Sequence, residues 1–439
     1  MHREYSVLKI YTKLNIYAGV IMGALEIYTR STVGDEVKGL IVTLDRIELF
    51  MILVLQIATI CLAYPFFIRT KDKDIIFRPG GKMKFRVDYD RFHVFLFILI
   101  ALNIFVSMRW GNGKVNLTGT AYARPGFVSL FNIIQIRPLF NIYYVCCRDT
   151  KKIIYWINTA LFLIFRVICG WTGDIFGIIF LEMFLFVKHN RHCCLVNTLF
   201  KMNDLIVAAA FSVGSYLYCV FFPIKNAIRF GRSIGSFSVL PYFDGVQRLI
   251  SRFTNYPVSV AAVQNHVEIA KLYQQQGKPF WEVEAIFAPL LPRFLMPNKE
   301  FRPLANLVSL AFDPTHGPET GAGYWPVGYW LNIFESNMLC FVVGLIVFVV
   351  FFIITKKIIY AFDDGSKDVE YLYYVFCLGI FNGGTLNGVF GYGYLSMLYT
   401  IPIMWFLGII KKQNVEYGAS LMKHKMKKSW PIKVRIDNR

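Results

Sequence analysis

Residues 334–357 read FESNMLCFVVGLIVFVVFFIITKK, and this stretch decides the fold class. From Met338 to Thr355 no charge interrupts an apolar run long enough to cross hydrocarbon as a helix of roughly 20 residues. Lys356 and Lys357 end it abruptly. Scanning outward with the same window gives spans near 10–28, 47–68, 92–109, 126–147, 152–169, 173–188, 203–224, 334–355, 370–386 and 392–410. The reading is an all-α polytopic membrane protein with about ten transmembrane helices. The first span carries Lys13 and Glu26, and 152–169 and 173–188 form a short hairpin through Gly170, Trp171, Thr172 and Gly173. The N-terminal run has no small-residue cleavage site after it and reads as a retained helix.

Composition points the same way. Of 439 residues 56% are hydrophobic and only 17% charged, and the mean hydropathy is +0.47. A soluble domain of that content would expose large apolar patches. The charge is lopsided, 47 Lys+Arg against 28 Asp+Glu. Such a surplus suits nucleic acid, anionic lipid or the positive-inside bias, and position favours the membrane. Arg69, Lys71, Lys73, Arg78, Lys82, Lys84, Arg86 and Arg91 crowd one link, and Arg148, Lys151 and Lys152 another. Lys188, Arg191 and Lys201, then Lys356 and Lys357, then Lys411 and Lys412 with the tail through Lys428, complete the set. All fall on one side if both termini are cytoplasmic, which places 225–330 outside.

Four sections follow: a first bundle of about seven helices over 1–224, a large outer segment over 225–333, a second bundle of about three helices over 334–412, and a basic tail over 413–439. The outer segment lacks cysteine, so no disulfide staples it. Trp281, Phe287, Phe294, Phe301, Trp325 and Trp330, with helical apolar spacing around Val258–Tyr273 and Pro279–Leu291, predict a folded, helical lid on the bundle. Among the chain's nine cysteines no zinc-type CxxC pair occurs, and neither a phosphate loop nor an acidic metal pair is present outside the membrane.

Four groups of residues have the chemistry of a site. Arg166 lies inside the apolar run Leu161–Cys169, where a guanidinium is costly and needs a partner or a cavity. Asp174 across the hairpin offers a brace, and an anion site is the other reading; both stay open. Arg229 and Arg232, with Arg248 and Arg252 one helical turn apart, suit phosphate oxygens or a solvated basic face. Arg293, Lys299 and Arg302 sit in a frame of prolines at 289, 292, 297 and 303, rigid for binding or for a structural crossing. Asp313, His316 and Glu319, in a Gly- and Pro-rich stretch, are candidate proton acceptors; the bland alternative is an ordinary polar loop. His266 reads as an ordinary surface residue.

The stretch Pro292-Arg293-Phe294-Leu295-Met296-Pro297-Asn298-Lys299 is similar to the proline-arginine-aliphatic-Pro-x-Lys stretch of the Wzy family, the bacterial O-antigen polymerases. The Gly-rich Thr315–Gly323 segment and the return to the membrane through Gly328–Glu335 follow in that family's order, and Arg166 before a Gly-containing turn resembles a family feature. One departure is that no Arg-x10-Gly pattern begins at Arg229, Arg232, Arg248, Arg252, Arg293 or Arg302, so that pattern does not select the essential arginine.

The resemblance implies a metal-independent glycosyltransferase of the GT-C type, without cofactor, in the bacterial inner membrane with the large loop periplasmic. It implies transfer of a growing glycan from undecaprenyl diphosphate to a terminal sugar hydroxyl of an incoming lipid-linked repeat unit. Donor and acceptor are then both lipid-linked oligosaccharides, membrane lipid is a further partner, a chain-length regulator is expected, and nucleic acid is not. Arg166, Arg229, Arg232 and Arg293 are first candidates for the diphosphate, and Arg248, Arg252, Lys299 and Arg302 second. His316, then Glu319 or Asp313, would take the acceptor proton, and Tyr324, Trp325 and Trp330 would stack on sugars. An O-antigen ligase acting on lipid A core is the nearest rival, and a flippase or other transporter the non-enzymatic one. A transporter predicts charges along many spans, whereas here they are few: Glu26, Arg166 and Glu182. Two similar halves, as in inverted-repeat transporters, are not evident. An insect-type chemoreceptor with seven helices fits worse.

Overall fold

A computed structural model describes residues 5–32, 40–72, 84–114, 125–150, 152–171, 173–189, 203–229, 239–288, 290–291, 295–296, 301–312, 326–363, 368–381 and 385–413. The described chain is mostly α-helical, as its apolar runs predict. Among the described residues three helices are long and apolar enough to cross a membrane: Arg46–Ile68 within α2 (Arg46–Asp72), α3 (Tyr89–Trp110), and Met338–Ala361. Only 22% of the most apolar window of Met338–Ala361 is buried inside the protein, so most of that helix needs an apolar solvent. Shorter apolar helices cover Ile153–Ile168, Phe211–Ile224, Glu370–Ile380 and Tyr394–Phe406.

Local chemistry sets the ends of the long helices. Before α2, Glu48 N–H donates to Asp45 Oδ1 and Asp45 N–H to Glu48 Oε2, both at 2.7 Å, a reciprocal box that satisfies two N-terminal donors. Asp88 caps α3 by accepting from Arg91 N–H at 3.3 Å, and Gly111 ends it in the left-handed region at φ 63. α1 (Tyr5–Thr29) lies beside α2.

The span expected over 126–147 is broken. A 3-10 turn (Gly126–Ser129) and α4 (Leu130–Ile133) precede an extended Gln135, and α5 (Ile136–Cys146) starts afresh. Pro138 explains the break: it has no N–H for the carbonyl of residue 134, but it fits the first turn of a new helix. α6 (Ile153–Ile168) and α7 (Gly173–His189) lie either side of the short Gly-containing turn, but α6 packs along α3 and α7 against α1 and not closely on each other as the hairpin reading expects; α8 (Asn203–Arg229) follows with Pro223 inside it.

The chain after α8, expected to lie outside the bundle, is woven into it rather than only laid on it. α9 (Tyr242–Phe253) runs antiparallel to α8. Its Phe253 ring lies 5.8 Å from that of Phe211, and Leu240 N–H donates to Cys219 O at 3.3 Å. Gly245 permits the approach, since a Cβ there would sit 2.2 Å from Cys219 Sγ and 2.8 Å from Ser215 O. After Thr254 the chain turns back as α10 (Tyr256–Gln264) along α1 and α2. Tyr256 OH donates to Leu49 O at 3.0 Å, and Gln264 Nε2 to Ile41 O at 3.1 Å. Then come α11 (His266–Gln275), α12 (Trp281–Glu284), α13 (Leu304–Phe312) and α14 (Val327–Ser336), a helical layer that leads into α15 (Met338–Ala361).

The last expected pair of spans, 370–386 and 392–410, is two shorter helices, α16 (Glu370–Phe381) and α17 (Met397–Phe406). Between them lie a π-turn over Asn387–Gly391 and a 3-10 turn over Tyr394–Ser396. Phe390 packs against Phe348, Phe351 and Phe376, so this irregular stretch is buried in protein.

Several basic links gather at one end. β1 (Lys84–Val87), just before α3, pairs antiparallel with β2 (Ile410–Gln413), just after α17. Lys84 Nζ reaches Asp363 Oδ2 at 3.4 Å, Arg91 Nη1 donates to Leu407 O at 3.2 Å, and Lys152 pairs with Asp90. The segments around 84–91, 152, 363 and 407–413 therefore share one face, in keeping with the charge pattern.

Candidate functional site: an arginine pair on one buried carboxylate

At the opposite end, α5, α6 and α7 bring Arg137, Arg166 and Asp174 together. Both guanidinium groups pair with the Asp174 carboxylate, Arg137 through Oδ1 and Arg166 through Oδ2. Asp174 (6% exposed) and Arg166 (13%) are covered, whereas the Arg137 side chain is 50% exposed. Trp171 is fixed by its Nε1–H bond to Gly113 O at 2.9 Å, and its ring lies 5.9 Å from Arg166 Cζ. A Cβ on Gly113 would lie 3.7 Å from Cys169 Sγ, so the turn that ends in Lys114 adjoins the same end of α6. Two guanidinium groups thus share one carboxylate, and the local surplus is positive.

The expected Arg166–Asp174 brace is present, and the structure adds Arg137 to it. Arg137 carried the same signal as Arg166, a guanidinium inside an apolar run, but it was hidden by reading 126–147 as one uninterrupted helix. One turn along, Asn141 Nδ2 donates to Tyr394 OH at 3.5 Å, so α5 touches the irregular stretch between α16 and α17.

On the far side of that stretch, Phe348 lines a cavity of about 150 Å³ between α2, α15 and α16. Its walls are mostly apolar, with Ile60, Ala63, Phe66 and Phe67 of α2 facing Ile380 and Pro326, and Gln56 and Thr59 of α2 add polar groups.

The remaining expected residues disperse. Arg248 lies with its Cζ 4.3 Å over the Phe222 ring, and Arg252 Nε donates to Tyr218 OH at 3.2 Å. Both therefore belong to the α8–α9 pair and not to the Asp174 cluster. The backbone of Arg302 is held by Gln276, which accepts from its N–H at 2.6 Å and donates to its carbonyl at 3.1 Å. Trp330 packs edge-on against Phe341 and Phe348, and a Cβ on Gly344 would come within 3.3 Å of its ring, so it serves as a wedge in the fold. His266 pairs with Glu335 at the surface. Glu182 is held by Arg148 and Tyr144. Arg229 closes α8; its side chain, and residues Arg232, Arg293, Lys299, Asp313, His316, Glu319, Tyr324 and Trp325, lie outside the described residues.

Sequence reasoning passed over Glu282. It is fully buried, accepts from Leu304 N–H and accepts from Tyr329 OH at 2.7 Å. Tyr329 OH in turn accepts from Leu386 N–H at 2.9 Å. The carboxylate thus joins α12, α13 and α14 to the stretch that follows α16. Burial pushes the Glu282 carboxyl up to about 7, with the two donated bonds opposing the rise. Nothing in its local sequence, a glutamate beside Glu284 and Trp281, separates it from a surface residue.

No protein-family model, curated protein or solved structure matches the chain.

Proposed function

We propose that the chain is a metal-independent glycosyltransferase that polymerises lipid-linked oligosaccharide repeat units at the bacterial inner membrane, in the manner of the Wzy family it resembles. In this reading both termini are cytoplasmic, about ten spans cross the bilayer in a GT-C-like arrangement, and the 225–333 segment faces the periplasm. The growing glycan leaves undecaprenyl diphosphate and joins the terminal sugar hydroxyl of an incoming repeat unit.

The observation that carries the reading is the surplus of positive charge at the end of the bundle away from β1 and β2. Arg137 and Arg166 share one buried carboxylate. A diphosphate leaving without a metal develops charge that fixed guanidinium groups stabilise, since their paired N–H donors match phosphate oxygens. Asp174 holds the two arginines in register, and half-exposed Arg137 presents the accessible edge. The mostly apolar cavity beside α2 suits a stretch of lipid tail. Arg229, Arg232, Arg293, Lys299 and Arg302 are further candidates for the diphosphate. His316, with Glu319 or Asp313 as second choices, takes the acceptor proton in this reading, and Tyr324 and Trp325 offer faces to sugar rings. A chain-length regulator is the expected protein partner.

The test is deletion in the native host, followed by gel analysis of the lipopolysaccharide with wild-type, Arg166→Ala, Arg293→Ala and His316→Ala copies restored. Collapse of the ladder to core plus one repeat, not restored by the variants at normal expression, supports polymerisation. Core with no repeat moves the ligase or the flippase ahead, and an unchanged ladder overturns the reading.

A further inference from the structure

Helix α5 is bounded by two guanidinium groups. Arg137 lies in its first turn, and Arg148 follows its C-terminus in a short 3-10 turn. Asp174 holds the first and Glu182 the second, so two ion pairs tie α5 to α7 at different heights. Between them Asn141 Nδ2 donates to Tyr394 OH, and Tyr144 OH donates to Glu182. Arg137, Asn141, Tyr144 and Arg148 recur at the four- and three-residue spacing of a single helical face. The face is a polar ladder whose rungs stand no more than about 6 Å apart along the axis.

The heights follow from the neighbouring helices. Arg148 and Lys152 belong to the end of the bundle where Lys152 pairs with Asp90, at the start of α3. Arg137 lies about 16 Å along α5 from Arg148, and Arg166, which shares its carboxylate, about 21 Å along α6 from Lys152. α3 starts at that same level and rises about 33 Å. Two helices thus place the Asp174 cluster well inside the length of a full span. A hydrocarbon layer of roughly 30 Å does not fit between the two charge levels.

Both levels are open at the surface. The Arg137 side chain is 50% exposed, Arg148 29% and Glu182 37%. A Cβ on Gly173 or on Gly177 would meet nothing within 4 Å, so α7 is open on both sides of Asp174. Arg137 is tied to Asp174 through its Nε, so its guanidinium does not swing away to a distant interface as an unpaired long side chain does. A pinned, half-exposed charge at that depth draws headgroups and water down to it, and the bilayer thins around it.

We propose that the α5–α7 face thins the bilayer locally and lets phospholipids cross between the leaflets there, a second activity whose substrate is an ordinary phospholipid. The charges are complementary. An outer-leaflet phosphate meets Arg137, an inner-leaflet phosphate meets Arg148, and the cationic group of a zwitterionic headgroup meets Glu182. The barrier to crossing is the cost of carrying a polar headgroup through hydrocarbon, and a shorter path with Asn141 and Tyr144 along it lowers that cost. Transit of this kind runs both ways and needs no energy source. It does not rest on the polymerase reading, and its substrate is not the oligosaccharide lipid of a flippase.

The test uses full-length protein in phosphatidylcholine vesicles with a trace of phosphatidylethanolamine that carries a fluorescent NBD group on one acyl chain. Dithionite added outside bleaches only the outer leaflet, and in protein-free vesicles the inner-leaflet signal persists. Wild-type protein should expose that signal to dithionite within minutes, while an NBD-labelled sugar trapped in the lumen stays bright. Arg148→Leu with Glu182→Leu removes the inner pair together and leaves no lone charge. Arg137→Leu removes the outer exposed guanidinium while Arg166 still holds Asp174. Each should slow the loss by about tenfold, and Arg137→Leu decides if the double variant elutes or melts unlike wild type. An inner-leaflet signal that persists with wild-type protein overturns the proposal, as does loss at the wild-type rate in a folded variant, or loss of the trapped sugar. The vesicles hold no oligosaccharide lipid, so transit seen while the gel assay shows no role in polymerisation leaves this activity standing while that reading falls.

Discussion

Replacing Glu282 by Gln isolates the buried carboxyl that ties α12, α13 and α14 to the break after α16. Its carboxyl is raised from 4.5 to about 7 by burial. A raised acid binds its proton more tightly in the folded state, so its stabilising contribution is complete below about 4.5 and is lost as pH rises through about 7. With no solvent exposure to discount, the linkage amounts to roughly 2–3 kcal/mol between pH 5 and pH 8. Gln keeps an acceptor for Leu304 N–H or Tyr329 OH but cannot ionise. The difference in stability between Glu282→Gln and wild type should therefore move in favour of the variant by roughly 2–3 kcal/mol as pH rises over that range. Thermal unfolding in nanodiscs, followed by tryptophan fluorescence at several pH values, reads this as a gap in melting temperature that shifts by a few degrees. A gap that stays constant with pH would refute the reasoning, because the carboxyl would then titrate alike in both states.

Other consequences can be checked the same way. Tyr329→Phe removes one donor from Glu282 and the acceptor for Leu386 N–H, and should cost about 1–3 kcal/mol in the same melts. Gly245→Ala forces a Cβ into Cys219 Sγ and the Ser215 carbonyl; a loss of about 1–3 kcal/mol is expected, partly recovered by Cys219→Ala. If the polymerase reading holds, Arg166→Ala should lower glycan polymerisation in a membrane assay by about 10²–10³-fold, with Arg166→Lys retaining more activity because the charge remains. Lys84→Ala, which loses only a part-exposed ion pair with Asp363, should change stability by no more than about 1 kcal/mol.

The long apolar runs were legible because a helix in lipid states its nature residue by residue. α2, α3 and α15 fall where the hydropathy of 47–68, 92–109 and 334–355 puts them. The Arg166–Asp174 pair was legible too, since a buried guanidinium needs a partner and the hairpin offered only one nearby. What the window missed depends on partners distant in sequence. α9 reads as an amphipathic surface helix, and only the groove opened by Gly245 and Gly214 beside Cys219 and Leu249 draws it alongside α8. Pro138 was hidden because a proline in an apolar run fits a kinked span as well as a broken one. Glu282 was invisible because the groups that bury it come from residues 304, 329 and 386.

The ribbon between Lys84–Val87 and Ile410–Gln413 has a consequence for how the chain is made. Its first strand emerges before α3 and its second only after α17, so at ordinary translation speeds β1 waits on the order of half a minute for its partner. Until then its backbone donors and acceptors are open to any passing strand. A ribosome that stops short of residue 410 leaves a nearly complete set of helices with an unfastened edge, a form that quality control can recognise by that edge alone.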